Sequence, residues 1–484
     1  MIAQPYQSLL THPDISFAEQ AREGYYPVHN VATLEVLAWV KKYSVADVEA
    51  AILRSQQAQQ HWKTATTLQK ADVLWAWYHA VMQHKEALAW ILTSEQGKPL
   101  AEAKGEIAYA ASFIRWFAEQ ARRIDGDIIT SDQQQQKMFV IQQPVGVTAA
   151  ITPWNFPTAM ITRKAAPAIA AGCSMIVKPA EQTPLSAYAL EVLALQAGLP
   201  KDVLINLTGD AVAVGESLCQ SDVIRKLSFT GSTGIGKILM RQCADNIKKL
   251  SLELGGNAPL IVFDDADLDQ AVKGVMISKF RNSGQTCVCA NRIYVHANIY
   301  DQFSQKLKYA VEQLQVGNGL DEGVTQGPLI DQRAVTKVQS HIEDALAKGA
   351  TLLTGGQPSE LGKTFFTPTV LLHVDSSMRV AKEETFGPLA PIFKFEDEAS
   401  VIQMANDTEY GLAAYLYSSN SSRQWRVSEA LEYGMVGINT GLISNERAPF
   451  GGIKQSGLGR EGSKYGIDEY LEMKYMCLDT SSAA

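Results

Sequence analysis

The chain has 484 residues, enough for about three units at a typical domain size, which excludes a single small binding module. Its 43 basic and 51 acidic residues leave a net charge of −8, and no long Lys/Arg run interrupts the mixture, so neither a nucleic-acid nor an anionic-membrane partner is expected. The composition, 46% hydrophobic and 19% charged, is that of a folded globule.

Six scattered cysteines are too few for a disulfide framework. No apolar run approaches the ~18–20 residues of a membrane span, and no basic-then-apolar leader opens the chain. The expected setting is a reducing one, the cytoplasm.

In chain order, residues 45–121 read as helices, among them 71–81. Residues 125–143 suggest two strands joined by a polar turn, with Gln133 to Gln136 as a solvated loop. From Gly146 short apolar runs at 146–151, 174–178, 203–207 and 226–230 alternate with helical segments, the rhythm of βαβ units. A break at Gly255-Gly256 precedes a second set: a strand at 258–263, a helix opening near Asp267, a strand at 292–296, and a helix over 332–349 carrying Val335, Val338, Ile342 and Leu346. The segment 469–477 alternates like an edge strand, a pattern usually paired with something. The fold class expected is α/β.

Several motifs point to chemistry. Strand 227–230 runs into Gly231-Ser-Thr-Gly-Ile-Gly236 and then a helix, the context for an anion at a helix N-terminus. Its spacing is not the usual G-x-G-x-x-G, and no acid ending a second strand about twenty residues later is expected. Gly284-Gln-Thr-Cys287-Val-Cys289 places a cysteine in a loop beyond a helix, fitting an activated thiolate. With no second cysteine pair nearby, no metal site is expected. Glu253, set among leucines and glycines, suits a general base whose pKa burial would raise. Asn155, directly after a strand, can donate to an oxyanion. Together these supply nucleophile, base and oxyanion donor.

The series Pro153-Trp-Asn-Phe-Pro, Lys178-Pro-Ala-Glu181, Phe229-Thr-Gly-Ser-Thr233, Leu252-Glu-Leu-Gly-Gly, Gly284-Gln-Thr-Cys, Glu384-Thr-Phe-Gly-Pro388 and 449–457 resembles the ordered motifs of the aldehyde dehydrogenase superfamily. That family binds its dinucleotide with a G-S-T-x-x-G turn, which accounts for the irregular spacing after Gly231. The resemblance implies Cys287 as nucleophile, Asn155 as oxyanion donor and Glu253 as activator of the water that hydrolyses a thioester. It also implies Lys178 and Glu181 on the adenosine ribose, Ser232 on a phosphate, Glu384 on the nicotinamide ribose, Phe386 beside the ring, and Trp154 as pocket wall. NAD is the expected cofactor, because an acid at Glu181 favours a free 2′-hydroxyl, with NADP also tolerable beside Lys178.

Arg163 and Arg281 are tied by sequence to the two catalytic loops, and guanidinium forks suit carboxylates. Residues 280–290 and 441–444 are similar to those of the succinate-semialdehyde dehydrogenase subfamily. The resemblance implies a carboxylate clamp of Arg163, Arg281 and Ser444, hence succinate semialdehyde as substrate, with glutarate semialdehyde or a broader range of aldehydes as the alternative. It further implies two Rossmann-type domains, residues 1–122 with 143–254 for the dinucleotide and 255–455 for catalysis. Residues 123–142 and 456–484 form the implied strand element of a homotetramer or homodimer, and Cys289 is a candidate redox partner of Cys287.

Overall fold

A computed structural model describes residues 4–18 and 20–480. Its organising element is a six-stranded sheet in the order Gly457–Leu458, Lys249–Glu253, Ile224–Thr230, Val147–Ile151, Ser174–Lys178, Leu204–Asn206. All neighbours are parallel except the first pair. Parallel strands are covered by helices on both faces, which is why these segments are continuous apolar runs rather than alternating ones. The chain enters at Val147–Ile151, steps outward through 174–178 and 204–206, then returns to lay Ile224–Thr230 on the other side. The carboxyl ends of these two central strands therefore flank a topological switch point, where open α/β sheets hold ligands.

The helix leaving the first of those strands, Pro157–Ala171, is buried along its whole length. Proline at its first turn and left-handed Gly172 (φ 92°) beyond its end set its limits. It packs against Leu100–Gln120, another largely apolar helix, and the two carry one wall of the site described below.

A seven-stranded sheet follows in the order Thr351–Thr354, Thr369–Leu372, Leu389–Phe395, Ala290–His296, Ala258–Val262, Ala413–Tyr417, Met435–Ile438, parallel except for its first pair. Asp267 caps the helix Leu268–Val275, and the apolar spacing over 332–349 becomes the helix Gln332–Ala347. The edge pattern near the C-terminus is Leu471–Asp479, paired antiparallel with Gln136–Pro144, which in turn pairs with Asp127–Ile129.

Three features differ from the sequence reading. A small sheet of Ile15–Ser16, Val36–Lys41 and Tyr25–His29 precedes the helices. Residues 456–484 are not one strand element, because Gly457–Leu458 pairs with Leu252–Glu253 in the six-stranded sheet. Only glycine fits there: a Cβ on Gly457 would lie 1.8 Å from the Leu252 carbonyl oxygen. An acid does end the strand after the glycine turn, since Glu253 terminates Lys249–Glu253. Among the described residues no helix is long and apolar enough to cross a membrane.

Candidate active site

Two cavities share Cys287 and Met160 in their walls. One, of about 300 Å³, is lined by Arg163, Arg281, Ser444, Lys98, Glu102 and Tyr109. The other, of about 610 Å³, opens at the switch point and is lined by Trp154, Gly231, Ser232, Glu384 and Phe386.

Cys287 owes its place to an irregular approach. The helix Leu268–Val275 loosens into a π turn over Met276–Phe280, and Asn282 and Ser283 then take left-handed conformations (φ 52° and 54°). Such conformations cost non-glycine residues ~1–3 kcal/mol each and persist where surrounding contacts over-determine them. Those contacts are present: the Asn282 N–H donates to Glu102 Oε2 at 2.8 Å, and the Ser283 hydroxyl donates to the Gly327 carbonyl at 2.8 Å. Gly284 follows with φ 74°, where a Cβ would lie 2.1 Å from the Gly387 carbonyl oxygen.

Asn155 is buried, and its Nδ2 donates to the Gln285 carbonyl at 3.0 Å, joining the loop after the first central strand to the loop carrying the cysteine. Glu253 is buried with neither carboxylate oxygen hydrogen-bonded. Burial, reinforced by nearby Glu461, holds its pKa well above the usual carboxylate value against the pull of Arg163 and Lys164. Glu384 accepts from the Gly256 N–H at 3.2 Å, and burial lifts its pKa to about 7.

The larger cavity fits an extended ligand with ribose and phosphate groups. Ser232 caps the helix Thr233–Gln242, presenting that helix's amino end to the cavity. At Gly231 a Cβ would lie 2.4 Å from the Phe229 ring, so only glycine keeps this approach open. Trp154 and Phe386 meet edge to face at 5.5 Å between ring centroids. Lys178 and Glu181 are not in this wall; they are ion-paired to each other at the end of Ser174–Lys178.

In the smaller cavity Arg281 Nε is buried without a hydrogen-bond partner. The Arg163 guanidinium lies 3.9 Å from the centroid of the Phe450 ring and contacts Glu461 through Nε, while its Nη2 lacks a hydrogen-bond partner. The three clamp residues inferred from sequence are thus brought to one cavity, and that cavity reaches the cysteine.

The chain matches the aldehyde dehydrogenase family over residues 17–476. It belongs to that family. It is 61% identical over 451 residues to an NADP(+) succinate-semialdehyde dehydrogenase of Escherichia coli (strain K12), covering 93% of this chain and 94% of that protein. It is 62% identical over 451 residues to a glutarate-semialdehyde dehydrogenase of Pseudomonas putida (strain KT2440), at the same two coverages of 93% and 94%. The crystal structure of succinate-semialdehyde dehydrogenase from Burkholderia pseudomallei superposes with a TM-score of 0.95 at 56% identity, covering 98% of both chains.

Sequence reasoning about this aldehyde dehydrogenase missed five charged residues. Glu461 contacts both Arg163 and Lys164, and Lys164 also donates to Thr230 Oγ1 at 2.6 Å. Lys98 is buried against Glu106 and donates to the Asn155 carbonyl at 2.8 Å. Glu102 and Glu106, spaced one turn apart on an apolar helix, were the available signal for buried acids facing a site.

The cysteine also differs from expectation. Burial pushes the Cys287 thiol up to about 12, with Arg163 and Arg281 opposing that rise and Glu384 and Glu253 adding to it. A thiol raised in this way is expected to rest protonated, because a raised acid stays protonated until pH approaches its own pKa. Inactivation of the free enzyme by iodoacetamide is expected to rise about tenfold per pH unit through pH 10. A plateau near pH 8.5, the value of an ordinary thiol, would contradict this.

Proposed function

We propose that this aldehyde dehydrogenase oxidises succinate semialdehyde to succinate with NAD(P)+. The observation that carries the reading is the pair of guanidiniums with unpartnered N–H groups inside a 300 Å³ cavity that opens on Cys287. Buried, unsatisfied donors of one charge favour an anionic partner. Glutarate semialdehyde is a second substrate favoured by relatives of that name at 60% and 62% identity. One added methylene changes discrimination by only ~1–3 kcal/mol.

Arg281, Arg163 and Ser444 hold the far carboxylate and so aim the aldehyde carbon at Cys287. Sγ gives its proton to solvent water as it attacks that carbon, and the oxyanion of the thiohemiacetal is stabilised by the Asn155 amide and the Cys287 N–H. A bound nicotinamide dinucleotide supplies the acceptor for the aldehyde's hydride. Glu253 then takes a proton from the water that attacks the thioester carbon, releasing the acid and restoring the thiol. Because Glu253 has a raised pKa, the acid limb of turnover is expected above the ordinary carboxylate range. In single turnover, succinate and reduced nicotinamide are expected one to one; reduced nicotinamide without free acid would refute the hydrolytic half of the reading.

Ser232 would bind a phosphate, Glu384 the nicotinamide ribose, Phe386 the ring, and Lys178 with Glu181 the adenosine ribose. Both dinucleotides are expected to work, with NAD preferred through Glu181; a clear NADP preference in kcat/KM would overturn that preference. Cys289, whose thiol donates to the Lys279 carbonyl at 3.4 Å, is proposed to close a regulatory disulfide with Cys287 under oxidation. Peroxide inactivation that thiols reverse equally in wild type and Cys289→Ala would reject this.

The six-stranded sheet is proposed as the dinucleotide-binding unit and the seven-stranded sheet as the catalytic one. The paired strands Gln136–Pro144 and Leu471–Asp479 would join copies into a homodimer or homotetramer. Their exposed Met473, Tyr475 and Leu478 support an interface. A reducing cytoplasm suits an enzyme that depends on a free cysteine.

A further inference from the structure

We infer that Asn282 is the positioning residue of the oxyanion site, acting through the Gln285 carbonyl. The inference rests on the proposed role of Asn155 as oxyanion donor. The Asn155 side chain has two N–H bonds. One is spent on the Gln285 carbonyl, so the direction of the other is set by where that carbonyl lies.

Asn282 fixes both ends of this arrangement. Its buried Nδ2 donates to the Asn155 carbonyl at 3.0 Å and to the Gln285 carbonyl at 3.2 Å. It therefore bridges the loop bearing the donor and the loop bearing the nucleophile. Its own Oδ1 accepts from Gln96 Nε2 at 3.0 Å, which orients the amide with its nitrogen towards the two carbonyls. The Gln285 side chain closes the loop on itself, with Nε2 donating to the Asn282 carbonyl at 3.2 Å and Oε1 accepting from the Ile330 N–H at 2.9 Å. Asn282 is buried and does not line the two cavities that meet at Cys287, so its effect on substrate passes through Asn155.

The left-handed backbone at Asn282 provides a clean variant. Glycine adopts φ 52° without strain, so Asn282→Gly removes the amide while leaving the turn able to form. Asn282→Asp keeps the size but turns an acceptor towards two carbonyl oxygens, and Gln96→Ala removes the orienting donor together with the acceptor that Gln96 Oε1 offers the Lys98 N–H at 3.0 Å. Deleting an oxyanion donor lowers kcat by ~10²–10³-fold, the fall expected for Asn155→Ala. Asn282→Gly is expected to lower kcat by roughly 10–100-fold with KM changed by less than about threefold, a fraction of that loss since the Asn155 donor is displaced rather than deleted.

The deciding readout is the double variant. If Asn282 acts through Asn155, Asn155→Ala with Asn282→Gly is no slower than Asn155→Ala, because nothing is left to position. Full multiplication of the two losses, or wild-type kcat in Asn282→Gly, would overturn the inference. If Asn282→Gly fails to fold, Asn282→Asp and Gln96→Ala carry the same test against the same background. A wild-type kcat in Asn155→Ala would instead refute the oxyanion reading on which the inference rests.

Discussion

Glu253→Gln is expected to cut steady-state turnover by ~10²–10⁴-fold, the range of a positioned general base. The carboxylate is buried with both oxygens free of hydrogen bonds, beside Arg163 and Lys164, which favour its ionised form, and Glu461, which opposes it. A group held this way has no structural bond to lose on substitution, so the neutral isostere removes basicity with little effect on packing. On the proposed function, in which Glu253 acts on water only after the thioester has formed, a burst of reduced nicotinamide approaching one equivalent per active site should precede the slow phase. Rapid-mixing absorbance checks this. A linear time course at the wild-type rate would exclude Glu253 from the rate-determining chemistry.

Arg281→Ala carries the second large effect. Leaving a buried carboxylate without its charged partner costs about 2–5 kcal/mol, roughly 30-fold or more in kcat/KM for succinate semialdehyde. An uncharged aldehyde of similar length has no carboxylate to strand and should change little. Arg281 is the sharper probe of the clamp because Arg163 also contacts Glu461 and packs on Phe450. Replacing Arg163 would disturb the surroundings of Glu253 as well as the substrate. Equal losses on both aldehydes for Arg281→Ala would rule out the carboxylate clamp.

The central strands of both large sheets were legible because parallel strands buried on both faces form uninterrupted apolar runs, as in Ser174–Lys178 and Ala258–Val262. Cys287, Asn155 and Glu253 were legible as candidates for a different reason: each is a reactive residue type at the edge of an element, among glycines or prolines. Glu461 was not, because its partner Lys164 lies 297 residues away and only the tertiary fold joins them. The short pair Gly457–Leu458 carries too little pattern to announce which sheet it joins. The motif of Lys178 and Glu181 names them as ribose contacts; that each is also the other's ion-pair partner came only from the structure. The thiol state of Cys287 was likewise beyond sequence, since it depends on burial and on four charges from four separate segments.

On the proposed function, two arginines in a small cavity select an aldehyde with a far carboxylate. The most direct test is the initial rate of reduced-nicotinamide formation across succinate semialdehyde, glutarate semialdehyde and uncharged aldehydes of matching length. kcat/KM is expected to be highest for the two semialdehydes, with succinate semialdehyde first. Equal or higher kcat/KM for the uncharged aldehydes would contradict it.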